Sequence, residues 1–104
     1  MQSLITSGTG ETGTTKPLEF ALGQNYPNPF NPVTTIQYTI PSTAEVKLKV
    51  FDLLGREIRT LVNERKPSGS YEVRFDGASL ASGMYFYRLM AGNYVKTKKM
   101  VLVK

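Results

Sequence analysis

The sequence predicts an all-β fold, a seven-stranded antiparallel immunoglobulin-like β-sandwich. Three observations predict it. Short runs alternate apolar and polar residues, which places every second side chain on one face of a strand. Turn-forming residues interrupt these runs at intervals of roughly 8–12 residues, the spacing of a sandwich rather than of a closed barrel. No segment carries a convincing helical apolar period.

Met1 to Lys16 is mostly Ser, Thr and Gly and has little to bury, so residues 1–17 are read as a flexible linker or leader. The Met at its head suggests an excised piece with something larger upstream. Residues 18–104 are read as one domain. Leu18, Phe20 and Leu22 alternate with Glu19 and Ala21 and predict a short first strand. Pro27, Pro29 and Pro32 then forbid a helix and remove ladder donors. That segment is expected to be a stiff, extended crossover, with Tyr26 and Phe30 plugging the end of the core.

Val33 to Ile40 predicts the second strand, with Ile36, Tyr38 and Ile40 on one face and Thr35, Gln37 and Thr39 on the other. Glu45 to Phe51 predicts the third, with Val46, Leu48 and Val50 inward and Glu45, Lys47 and Lys49 outward. Asp52-Leu53-Leu54-Gly55 fits a hairpin loop, a type I turn closed by a Gly at positive φ. Arg56 to Val62 predicts the fourth strand, and Asn63 to Gly69 a polar loop. Ser70 to Asp76 predicts the fifth, with Tyr71, Val73 and Phe75 inward. Gly77 to Gly83 is expected to form one helical turn that presses Leu80 onto the core. Met84 to Ala91 and Tyr94 to Val103 flank Gly92-Asn93 and predict a closing hairpin of strands six and seven. Strand six has large side chains on both faces, which marks it as central.

The 104 residues suffice for one core and a stability of about 5–10 kcal/mol. Six Tyr and five Phe suit a two-layer β fold, because a tyrosine packs its ring inward while its hydroxyl reaches a backbone acceptor. Tyr85 or Tyr87 is the candidate for such a bond to a neighbouring loop. A stacking platform for sugars or bases is the weaker account of the tyrosines.

With no Cys and no His, disulfides, thiolate chemistry and the commonest general base and metal ligand are all lacking. The acids lie mainly at outward strand positions or in turns. Asp52 and Asp76 each begin a loop, where Asp caps a turn through its own carboxylate. Glycines are isolated, so no phosphate loop is present. The expectation is a domain that is not an enzyme and holds no cofactor or metal. No apolar run is long enough for a membrane span, and no ordinary export signal is expected at the front of this sequence. Thirteen Lys+Arg against eight Asp+Glu give a charge of +5. Lys-studded strand edges that prevent aggregation account for this better than a nucleic-acid or anionic-glycolipid partner does.

Four ordered blocks, LGQNYPNPFNPVTTIQYTIP, VFDLLGREIRTLV, FDGASLASGMYFYRL and TKKMVLVK, cover Leu22 to Lys104. Together they resemble the C-terminal sorting domain of the bacterial type IX secretion system, closest to its type A class, common in the Bacteroidetes. Phe75 stands where that family often has Trp, and Met84 where it often has Val. The resemblance implies a secretion address. An upstream passenger reaches the periplasm, the outer-membrane translocon recognises this domain, and a sortase-like protease removes it in or near Met1 to Pro17. The passenger is then released or held at the cell surface. Carried over by residue, the resemblance implies translocon recognition through Gly83, Tyr85 and Tyr87 of strand six. In strand seven it implies Lys96, Lys98, Lys99, Met100, Val101 and Lys104. The competing reading is a passive adhesion or carbohydrate-binding immunoglobulin-like module of a secreted enzyme.

Overall fold

The computed structural model of the protein describes residues 17–104. The linker expected over residues 1–17 lies outside the described residues except for Pro17. The elements are β1 (Ala21–Leu22), β2 (Val33–Ile40), β3 (Ala44–Phe51), β4 (Glu57–Lys66), β5 (Gly69–Asp76), β6 (Gly83–Ala91) and β7 (Tyr94–Leu102). Every sheet pairing is antiparallel. One sheet runs β1-β2-β5 and the other β4-β3-β6-β7, which is the expected seven-stranded immunoglobulin-like sandwich.

The alternation read from the sequence decides which side chains fill the space between the sheets. Ile36, Tyr38 and Ile40 from β2 and Phe75 from β5 meet Val46, Leu48 and Val50 from β3. Tyr85, Tyr87 and Leu89 from β6 and Met100 and Leu102 from β7 complete the core. β6 is central, with β3 on one side and β7 on the other. Ala91 pairs with Tyr94 across Gly92-Asn93, and Gly92 has a φ of 58°. That left-handed conformation is what a two-residue hairpin requires and what glycine supplies without strain.

The first strand is shorter than expected. Leu18 is exposed, and Phe20 stacks on Tyr94 with ring centroids 4.9 Å apart instead of entering the ladder. β4 is longer. Asn63 to Lys66, expected as loop, pair with Ala44 to Lys47. A polar run is tolerated there because β4 is a sheet edge with half its surface in water. Two register shifts in the β3–β4 ladder leave Ile58 and Leu61 as extra residues on β4, and both pack against the core. A bulge of this kind lets side chains off the strict alternation turn inward. The segment 77–83 contains a turn rather than a helical turn. The N–H of Leu80 donates to the carbonyl of Gly77 at 2.9 Å, and Leu80 rests half-buried on the core as expected.

Of the two crossover aromatics expected to plug the core, only Phe30 does so. It is 1% exposed and meets Phe75 edge to face, with centroids 6.0 Å apart. Tyr26 is 80% exposed, because its backbone pairs with Thr35 and directs the ring outward.

Candidate functional site

Asp52, Asp76 and Glu72 are engaged in structure. Oδ1 of Asp52 accepts from the N–H groups of Leu54 and Arg56, both at 2.9 Å, and Oδ2 accepts from Nε of Arg56 at 2.7 Å. The backbone N–H of Arg56 is the main reason the Asp52 carboxyl titrates below its ordinary value. Oδ1 of Asp76 accepts from the N–H of Ala78 at 2.9 Å. Both aspartates therefore cap the turns they begin. Glu72 accepts from Gln37 at 2.8 Å. Among the described residues no group of three or more His, Cys, Asp or Glu is placed to hold a metal ion. No helix there is long and apolar enough to cross a membrane.

The nine residues singled out in β6, in β7 and just after it fall into two sets. Tyr85, Tyr87 and Met100 are buried in the core. The hydroxyl of Tyr85 donates to the carbonyl of Ala81 at 2.6 Å, four residues upstream. That of Tyr87 donates to Gly23 at 2.7 Å and accepts from the N–H of Asn25 at 2.8 Å. Both candidates for a hydroxyl-to-loop bond thus make one. Gly83 opens β6 at a φ of 153°, opposite Leu102. These residues build the shape of the hairpin, and Tyr87 and Met100 have no exposed surface.

The second set is exposed or half-buried. Lys96 and Lys98 lie opposite Leu89 and Tyr87, on the same face of β7 as Met100 and Leu102. Lys99 and Val101 lie opposite Phe86 and Met84, on the other face. Lys96 and Lys99 are exposed, whereas Lys98 and Val101 are half-buried. Nζ of Lys104 donates to the carbonyl of Ala78 at 2.6 Å, and its N–H donates to Oγ of Ser82 at 3.0 Å. Among the described residues none of these four lysines pairs with a carboxylate.

Charge is segregated along the chain. From Gly77 onward there are five cations, Arg88, Lys96, Lys98, Lys99 and Lys104, and no acid. The eight cations before Gly77 are balanced by the eight acids, so the whole excess of +5 sits in the closing hairpin and its flanks.

The Pro-rich crossover runs along the outer edge of β7. Nε2 of Gln24 donates to the carbonyl of Lys99 at 2.9 Å, and Oδ1 of Asn28 accepts from the N–H of Val101 at 2.9 Å. The N–H of Phe30 donates to the carbonyl of Val101, and the N–H of Val103 to the carbonyl of Phe30, both at 2.9 Å. A loop laid over an edge in this way blocks further strand pairing. Asn25 anchors the strap from within. It is 2% exposed, accepts from Gln24, and donates to the carbonyl of Pro27 and to Oγ1 of Thr34. Gln24, Asn25 and Asn28 were missed by sequence reasoning that weighed only the aromatics of the crossover. The available signal was polar amides set among prolines, which supply bonds that the missing prolyl N–H groups cannot.

Residues 24–104 match the family described as the secretion system C-terminal sorting domain. No curated protein matches the chain. Dimeric latent PorU from Porphyromonas gingivalis is similar over 95% of this chain and 10% of its own, at 19% identity and a TM-score of 0.64. PorZ, a surface component of the type IX secretion system of the same organism, is similar over 82% of this chain and 11% of its own, at 20% identity and a TM-score of 0.49. The chain thus spans about a tenth of the length of either protein. The likeness to PorU shows a shared fold.

Proposed function

The chain belongs to the secretion system C-terminal sorting domain family, and from that premise we propose that it is the address by which a passenger reaches the type IX translocon of the outer membrane. The match over residues 24–104 carries this reading, since it takes in the crossover from Gln24 onward, β2 to β7 and so the closing hairpin as one unit. A domain of this kind needs no active site, and Glu45, Asp52, Glu57, Glu64, Glu72 and Asp76 are held in turns, ion pairs and strand surfaces. The chain acts by being recognised, not by turnover. Periplasmic transit precedes recognition, and release or retention at the cell surface follows it. Before that release or retention, a sortase-like protease separates the passenger by cutting in or near Met1 to Pro17.

Within that reading, Gly83, Tyr85, Tyr87 and Met100 act indirectly, by fixing the hairpin's form. Lys96, Lys98, Lys99, Val101 and Lys104 are the groups within a translocon partner's reach. Lys98→Glu combined with Lys99→Glu reverses charge on both faces of β7. If charge is the cue, export of a fused passenger falls at least about tenfold while the domain stays folded. Normal export of that double variant leaves shape as the cue. Deleting Thr97 to Lys104 removes both cues and blocks export while the passenger itself folds. Undiminished export of that truncation contradicts the reading.

A further inference from the structure

Among the described residues, the edge of β7 is closed at one end and open at the other. In an antiparallel ladder, successive residues alternate between bonding the partner strand and pointing their N–H and C=O groups away from it. Ala91 and Tyr94 flank the two-residue turn, so Tyr94, Lys96, Lys98, Met100 and Leu102 bond β6. Val95, Thr97, Lys99 and Val101 point away from it. The crossover's bonds to the Lys99 carbonyl, Val101 and Val103 agree with this phase. Those bonds end at the Lys99 carbonyl. The outward N–H and C=O groups of Val95 and Thr97, and the N–H of Lys99, lie beyond the strap on the edge strand of the four-stranded sheet.

Lys96 and Lys98 flank this open stretch on one face and Lys99 on the other, with no carboxylate paired to any of them among the described residues. Val95 is 59% exposed. Arg88 adds a cation alongside, its Nε donating to Oγ1 of Thr97 at 3.1 Å. A second copy of this chain is a poor occupant, because edge-to-edge pairing would set these lysines against their own equivalents.

We propose that the open edge of β7, Val95 to Lys99, is a strand-addition site for an extended acidic segment of a partner protein. The inference rests on the sorting reading and deepens it by naming the partner's chemistry. Main-chain pairing along Val95, Thr97 and Lys99 supplies binding, and carboxylates on alternate partner residues meet the lysines. The crossover sets the limit of the site, so the added strand ends where Gln24 reaches Lys99.

The test is calorimetric titration of the full chain with a blocked octapeptide alternating Glu and Val. Three comparison probes are the Lys and Val counterpart, the acidic peptide N-methylated along its pairing edge, and a heparin fragment. Binding is expected for the acidic peptide alone. Lys96→Glu with Lys99→Glu weakens it at least about tenfold with an unchanged melting temperature. Thr97→Pro, which removes an outward N–H without touching the β6 ladder, abolishes it; if that variant does not fold, the N-methylated peptide tests the same bonds. No binding of the acidic peptide at millimolar concentration overturns the proposal. Equal binding of the N-methylated peptide or heparin also overturns it, by showing charge attraction without strand pairing. The titration does not depend on export, so its failure leaves the sorting reading standing, while normal export of the Thr97–Lys104 deletion defeats that reading whatever the titration gives.

Discussion

Tyr87 and Gly23 are joined by a hydrogen bond of 2.7 Å between residues 64 apart in sequence. The same hydroxyl accepts from the N–H of Asn25 at 2.8 Å, so a ring at the centre of the core holds down the start of the crossover. The crossover in turn covers the last part of β7. The core, the strap and the closing edge are therefore one mechanical unit.

Tyr87→Phe keeps the ring and removes that clasp, leaving a buried Asn25 N–H without its partner. The cost is about 1–3 kcal/mol, the desolvation of an unpaired group. For a domain of this size each kcal/mol lowers the melting temperature by about 4–8 °C. Thermal unfolding of the variant checks this, and an unchanged melting temperature contradicts it.

Hydrogen exchange reads the two halves of the β7 edge directly. The amides of Val101 and Val103 are bonded to Asn28 and Phe30 and should exchange slowly, while those of Val95, Thr97 and Lys99 exchange fast. Phe30→Ala removes a buried ring and costs about 3–5 kcal/mol. In that variant, where it remains folded, Val101 and Val103 join the fast set. Uniform protection along β7 in the parent chain contradicts the half-open edge.

Stability falls at both ends of the pH scale. The Asp52 carboxyl is held below its ordinary 3.8, mainly by the N–H of Arg56, and that of Glu57 below 4.5, mainly by the hydroxyl of Thr60. Their contribution is present above those values and lost as pH falls through the folded ones. Burial raises the phenols of Tyr87 and Tyr38 above 10.0, and nearby Tyr71 and Glu64 add to the effect on Tyr38. Stability from those neutral phenols is present below 10.0 and lost as pH rises through the raised values. Melting temperatures should form a plateau bounded by these two limbs. Loss of the alkaline limb in Tyr87→Phe identifies Tyr87 as its main source.

Much of this was legible in the residues. The alternation of Ile36, Tyr38 and Ile40 and of Val46, Leu48 and Val50 fixed two strands and their inward faces, and Gly92-Asn93 fixed the closing hairpin. Asn63 to Lys66 escaped because an edge strand can be polar on both faces and then reads as loop. Tyr26 was misplaced because composition does not say which way a ring between prolines turns; its backbone bonds to Thr35 decide that. Lysines on β7 were visible, and alternation alone sets Lys96 and Lys98 on one face and Lys99 on the other; which of their backbone groups the crossover covers was not, since that depends on contacts distant in sequence. The strap over Lys99 to Val103 joins residues some 75 apart and has no local signal.

The most direct measurement is a gain of function. The full chain is fused behind a fluorescent protein that carries an inner-membrane export signal, and the fusion is expressed in a bacterium with a type IX system and in its translocon-deficient derivative. The account predicts fluorescent protein outside the cell or on its surface in the first strain and trapped in the second. Fluorescence retained inside both strains, or exported equally by both, contradicts it.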